Sequence, residues 1–250
     1  MEQTFKIEGR NPVIEAIKSG RSIDKIYVLK GESHGSIIKI KAMARDNKIP
    51  VVEIDKKKFS EMSDIASSQG VVANVSPVDY VSVEDIIKKA EEKQEPLFVI
   101  LLDEIEDPHN LGAIIRTANA AGAHGVIIPK HRSAYITATV AKTAAGACFY
   151  TPVAKVTNLV QTIKKLKDYG VWFYGADMNG QSDIFDTDFS GKIGIVIGNE
   201  GKGISPTVKK ECDFMVNIPM MGEVESLNAS VSAGIFMYSA LKSRRKGGQK

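Results

Sequence analysis

Leu97-Phe-Val-Ile-Leu-Leu-Asp103-Glu-Ile-Glu-Asp107-Pro-His-Asn110-Leu-Gly-Ala-Ile-Ile-Arg116-Thr-Ala-Asn119 joins an unbroken apolar run to an amphipathic stretch. The run 97–102, bounded by Pro96 and Asp103, has the length and continuity of a strand buried on both faces, which is the signature of a parallel sheet. A helix is predicted next, with Leu111, Ile114, Ile115 and Ala118 on one stripe. Gly112, Arg116 and Asn119, spaced by four and three, fall on another face, so Arg116 lies off the core. Asp107 or Asn110 can cap this helix while Arg116 stays a solvated surface group. From this stretch alone that reading stands beside a ligand-binding one.

Two later segments repeat the pattern of a short apolar strand ending in glycines and polar groups. One is Ile193-Gly-Ile-Val-Ile-Gly198-Asn199-Glu200-Gly201-Lys-Gly203-Ile-Ser205-Pro206. The other is Phe214-Met-Val-Asn-Ile218-Pro219-Met220-Met-Gly222-Glu-Val-Glu-Ser226-Leu227-Asn228-Ala-Ser230. Open parallel sheets bind ligands outside the carboxyl ends of their strands, so three such loops predict one shared pocket. Gly198, Gly201 and Gly203 are expected to permit positive φ and close backbone approach. Neither G-x-G-x-x-G nor a Walker lysine pattern is present, which disfavours an ordinary nucleotide-binding enzyme.

The three segments resemble motifs 1, 2 and 3 of the SpoU (TrmH) family of RNA ribose 2'-O-methyltransferases, in the SPOUT superfamily, over residues 96 to about 245. The resemblance implies an α/β domain with a parallel sheet and a C-terminal trefoil knot, a homodimer, and S-adenosylmethionine as cofactor. A knot has no signature in periodicity or composition, and general folding rules run against one. By the same resemblance Asn110 and Arg116 sit at the target ribose and its phosphate, and Glu200 orients Arg116 or a neighbouring amide. Gly198, Ile218, Met220 and Leu227 contact the cofactor through their main chain, while Ser226 and Asn228 bring polar side chains to the reacting groups. Ser226 or Asn228 can also cap the final helix. Arg116 is the family's candidate proton acceptor, but a guanidinium is almost never neutral, so positioning and charge stabilisation form the alternative role.

Methylating a ribose requires a weakly acidic hydroxyl to be held in line with a sulfonium methyl while its proton leaves. No metal is needed, and His109, His124 and His131, at spacings of 15 and 7 without cysteine companions, are not a metal-ligand pattern. Cys148 and Cys212 support neither a disulfide framework nor a zinc site. No apolar stretch reads as a signal segment or a membrane span, so the expectation is a soluble, cytoplasmic protein without a membrane partner.

With 250 residues and 43% hydrophobic content, two domains are expected. Residues 1–76 carry 13 Lys/Arg against 10 Asp/Glu, residues 77–95 carry 3 against 6, and residues 96–250 carry 17 against 14. The division is thus a small basic domain over 1–76, an acidic linker over 77–95 holding a short helix near 84–93, and the methyltransferase-like domain over 96–250. The first block alternates helical and extended patterns: 11–19 helix, 25–29 strand, 36–47 helix, 51–54 strand, 57–65 helix and 71–75 strand. Its opening Gly9-Arg10-Asn11-Pro12 resembles the substrate-binding domain that many SpoU enzymes carry, although Pro12 is also ordinary helix-start chemistry.

The expected RNA contacts are Arg10, Asn11 and Arg21, with Lys30, the loop 31–35 and Gln69-Gly70 as further candidates; His34 in that loop reads as a solvated histidine. Such cations attract phosphate without reading bases, so RNA shape must choose the site. His109 and the stretch Pro129-Lys-His-Arg132-Ser133-Ala134 resemble the RlmB type, which methylates a guanosine ribose of bacterial 23S rRNA and makes Arg132 an RNA candidate. A tRNA enzyme of the same family, a thiostrepton-resistance type of rRNA methyltransferase, and a non-catalytic RNA-binding or ribosome-assembly protein are the alternatives. The helix after Asn228 is rich in small residues and should approach another element closely, and residues 242–250 read as a basic flexible tail.

Overall fold

The computed structural model describes residues 5–32, 35–63 and 65–247, so His34 lies outside the described residues. The chain divides into two compact units, 1–79 with 135–139, and 80–134 with 140–250.

The first unit runs β1 (Lys6–Glu8), α1 (Arg10–Lys18), β2 (Ile23–Leu29), α2 (Gly35–Asp46), β3 (Val51–Ile54), α3 (Lys56–Met62), α4 (Ile65–Ser68) and β4 (Val71–Val75). Its sheet has the order β1-β4-β2-β3, with β4 antiparallel to β1 and β2, and β2 parallel to β3. Val13, Ile17, Ile26, Val28, Ile37, Ile40 and Val71 form its core. The helix expected over 57–65 breaks at Ser63, whose backbone is extended. Strand β1 has no counterpart among the expected strands because three residues with one half-buried side chain leave no periodicity to read.

The second unit continues with α5 (Val83–Glu92), β5 (Phe98–Leu102), α6 (Pro108–Ala120), β6 (Gly125–Pro129), α7 (Ala138–Thr143), β7 (Val153–Val156), α8 (Leu159–Asp168), β8 (Trp172–Ala176), β9 (Ser182–Asp183), β10 (Ile193–Ile197), α9 (Pro206–Lys209), β11 (Phe214–Asn217) and α10 (Ala229–Gly247). Its seven strands lie in the order β7-β6-β5-β10-β8-β11-β9, and every pairing is parallel. Every residue of β5 and β10 is buried, as the continuous apolar runs require. Val99 and Leu101 share a core with Val83, Ile86 and Ala90 of α5 and Ile163 and Leu166 of α8. Phe98, Ile100 and Leu102 point the other way by strand alternation, and α10 packs against β10 and α6. Most of the acidic stretch 77–95 is therefore no detached spacer: α5 seats its apolar stripe in this core, and only its outer face is charged.

The basic C-terminal stretch is likewise helical as far as Gly247 rather than a flexible tail. The Arg244 guanidinium lies 5.3 Å from the centre of the Phe98 ring and donates to the carbonyls of Pro96 and Gly191. Nearby, His124 is fully buried, with Nδ1 accepting from the Phe98 N–H at 3.0 Å and Nε2 facing Glu95 Oε2 at 3.0 Å. Accepting at Nδ1 places the ring proton on Nε2. Burial pushes the His124 pKa below its ordinary value, and the Glu95 contact opposes that shift.

Candidate functional site

The carboxyl ends of β8, β10 and β11 open into a cleft of about 930 Å³. Its walls are the turn 176–179 after β8, the loop 197–204 after β10 and the loop 216–227 after β11, with Ala229, Ser232 and Phe236 of α10 behind. Gly198, Ile218, Met220 and Leu227 all line it, as do Glu200 and Ser226.

The loop after β10 folds as it does because of Gly198. A Cβ there would stand 2.2 Å from the Gly203 carbonyl carbon and 2.3 Å from the Ile204 nitrogen. Asn199 and Gly203 exchange backbone hydrogen bonds of 3.1 and 2.8 Å, and Gly203 takes φ +67°. Of the three glycines read as permitting positive φ, Gly203 alone adopts it, while Gly198 is needed for close approach. The loop is pinned to the end of β5 at two points: the Ser205 N–H donates to Asp103 Oδ2 at 2.8 Å, and Asn199 Nδ2 donates to the Glu104 carbonyl at 3.1 Å.

This rigid loop carries Glu200 to the place where the other two motifs arrive. Asn110 Nδ2 donates to Glu200 Oε1 at 2.9 Å, and the Ala229 N–H donates to the same oxygen at 3.3 Å. Asn228 Nδ2 donates to Asn110 Oδ1 at 3.0 Å and to Glu200 Oε1. Glu200 thus orients the amides of Asn110 and Asn228, and Oε2 has no hydrogen-bond partner among the described residues. Asp107 takes the capping role on α6, accepting from the His109 N–H at 2.9 Å, which leaves Asn110 for the network. Asn228 also caps α10, its Oδ1 accepting from Ser230 and Val231.

Arg116, less than two turns along α6 from Asn110, is exposed and has no ion pair among the described residues. The face it shares with Gly112 and Asn119 is not uniformly solvated. A Cβ on buried Gly112 would meet the Thr143 Cβ at 2.6 Å, and Asn119 donates to Thr151 Oγ1 at 3.1 Å. The small residues of α10 do allow close approach, with the Thr117 methyl 3.8 Å from where a Gly234 Cβ would stand.

Two cleft residues were missed in the sequence. Asp177 follows β8, its side chain 13% exposed, and pairs with Lys209 at the end of α9. Neither sits in a recognisable motif, and only the fold places them together. Among the described residues no His, Cys, Asp and Glu cluster could hold a metal ion, and no helix is long and apolar enough to cross a membrane.

The RNA candidates divide into ion-paired and exposed side chains. Arg10 opens α1 with Nε donating to the Gln69 carbonyl at 2.9 Å and NH2 paired with Glu32 at 3.0 Å. It thereby gathers the segments around residues 31 and 69 that were read as separate candidates. Asn11, Arg21 and Lys30 are exposed. Arg132, on the second unit, is exposed and pairs with Glu104 at 2.9 Å.

Residues 97–238 match the SpoU rRNA methylase family model, and residues 6–81 match the model for RNA 2'-O ribose methyltransferase substrate binding. The chain is 43% identical over 248 residues to YacO of Bacillus subtilis (strain 168), named for the TrmH family of tRNA/rRNA methyltransferases, covering 99% of each chain. A solved AdoMet-bound rRNA methyltransferase from Sinorhizobium meliloti aligns with TM-score 0.60 and 27% identity, over 96% of this chain and 87% of that one. The A. aeolicus TrmH/SpoU tRNA modifying enzyme aligns with TM-score 0.56 and 27% identity, but over 65% of this chain and 86% of its own.

Proposed function

The chain belongs to the SpoU rRNA methylase family and is an S-adenosylmethionine-dependent RNA methyltransferase, and we propose that it acts on the ribose 2'-hydroxyl of a guanosine in bacterial 23S rRNA. The observation that carries the reaction type is the junction of Asn110, Glu200 and Asn228, delivered from three strand ends to one edge of the cleft. Support for rRNA comes from the first unit. The S. meliloti rRNA enzyme matches nearly the whole chain, whereas the A. aeolicus tRNA enzyme matches only about two thirds of it.

The cleft suits the methyl donor. Its volume falls in the usual range for a small-molecule site, and the close approach of Gly198 to Gly203 and Ile204 lets the loop that walls it fold back on itself. Gly198, Ile218, Met220 and Leu227 would hold the donor with their main chain and Ser226 with its side chain, while the Asn228 amide, engaged by Asn110, Glu200 and Ser230, fixes the wall beside them. The donor supplies an electrophilic methyl group on a sulfonium. Arg116, permanently charged, holds the phosphate beside the target ribose and stabilises negative charge growing on the 2'-oxygen. Glu200 fixes the Asn110 and Asn228 amides through Oε1. Its open Oε2 is the carboxylate oxygen this corner offers for the hydroxyl proton.

Asn11 and Arg21, with Arg10 after it leaves Glu32, contact RNA phosphates from the first unit, and Arg132 does so from the second. The enzyme works in the cytoplasm as a homodimer. Val231 and Tyr238, seven residues apart on α10 and both about half exposed, support a second copy on that helix face. The family's trefoil knot belongs to this reading as well.

The test is methyl transfer from labelled S-adenosylmethionine to bulk rRNA and bulk tRNA, followed by mapping of alkali-resistant linkages. One resistant guanosine in large-subunit rRNA is the expected result. A resistant tRNA site would move the substrate within the family. Donor binding without transfer to either RNA, free or in ribosomal precursor particles, would leave a non-catalytic RNA-binding protein.

A further inference from the structure

Asp177 and Lys209 belong to the cleft wall and to none of the three motifs. Strand β8 lies between β10 and β11, so Asp177 at its carboxyl end stands one strand farther from β5, which feeds Asn110 and Arg116, than the β10 loop does. The turn holding it is closed by hydrogen bonds. The Asp177 N–H donates to the Val216 carbonyl at 3.0 Å, and the Gly180 N–H returns to the Asp177 carbonyl at 3.0 Å. A Cβ on Gly180 would stand 2.6 Å from the Val216 carbonyl carbon. The Asn179 N–H donates to Asp177 Oδ1 at 2.8 Å, and Lys209 Nζ meets Oδ2.

We infer that this pair is the subsite for the ribose hydroxyls of the methyl donor, an inference that rests on the donor reading of the cleft. A methyl group facing Asn110 and Glu200 leaves the nucleoside toward the rest of the wall. A vicinal diol offers hydrogens that the carboxylate accepts and oxygens to which the lysine donates. A diol is also neutral, so no second charge has to be stripped of water beside a largely buried carboxylate. A strand-end carboxylate holding a ribose diol is the solution that doubly wound dinucleotide enzymes reach on a different fold. Asp177 positions the donor and takes no part in proton transfer.

The experiment compares Asp177→Asn with the natural protein by calorimetric titration of S-adenosylhomocysteine and of its 2',3'-dideoxyribose analogue. Asp177→Asn should weaken S-adenosylhomocysteine about tenfold, the loss of one hydrogen bond to a charged group, and leave the dideoxy analogue unchanged. Donor KM should rise in parallel with kcat within about twofold. Equal losses for both ligands, or no loss, would overturn the assignment. Lys209→Met, tested beside it, should show the same ligand selectivity, and thermal melts of both variants separate lost contacts from lost folding. Failure of the natural protein to bind S-adenosylhomocysteine would instead remove the donor reading of the cleft.

Discussion

Asn110 and Arg116 stand six residues apart on one helix and are treated in opposite ways. Asn110 is 7% exposed, and its amide is engaged at both ends, donating to Glu200 and accepting from Asn228. Arg116 is exposed with no ion pair among the described residues. A polar group satisfied inside the fold is already oriented before any ligand arrives, whereas an unpaired cation keeps its full interaction for an anion from outside. The Asn110 amide is therefore preset by the fold, and the Arg116 guanidinium is left available for the phosphate proposed for it above.

The largest effect that could break this contrast is at Arg116. Arg116→Ala should lower kcat about a thousandfold, the scale of losing one charge-stabilising donor, with donor affinity and melting temperature unchanged. Normal turnover in that variant would make Arg116 a surface residue and end the division of roles. Glu200→Gln should sharpen it: removing the carboxylate costs about a hundredfold in kcat, and because Asn228 and Ala229 lean on Oε1, donor affinity should fall as well. A variant with weakened turnover but wild-type donor affinity would show that the Glu200 network serves only the acceptor side.

The smallest effect separates the fold from the site. His124, buried against the amino end of β5, folds in its neutral form because burial lowers its pKa. Stability linked to it is complete above the unfolded value of about 6.5 and is lost as pH falls through the lower folded value. Chemical denaturation followed between neutral and acid pH should show this decline, and His124→Asn should flatten its slope. An unchanged slope would mean that other groups carry the acid sensitivity.

Much of this was legible in the chain. The runs 97–102 and 193–197 read as buried parallel strands because a strand covered on both faces has no polar alternation to interrupt it. The three motif loops were legible because glycine and amide residues at strand ends are chemically unlike a core. The short β1 was not, nor was the helical course of 242–247, where a basic composition says nothing about the carbonyls of Pro96 and Gly191 that receive Arg244. Arg10 looked like a free phosphate contact because its partners lie 22 and 59 residues away.

The sequence by itself determined the buried strands 97–102 and 193–197, the helix after the first of them, and the family, since these depend on local periodicity and residue type. Only the tertiary structure decided the partners: Glu200 with Asn110 and Asn228 across separations of 90 and 28 residues, and Asp177 with Lys209 across 32. Such pairings are set by which strands become neighbours in the parallel sheet. That order depends on how the crossover helices pack, and a linear pattern of residues does not contain it.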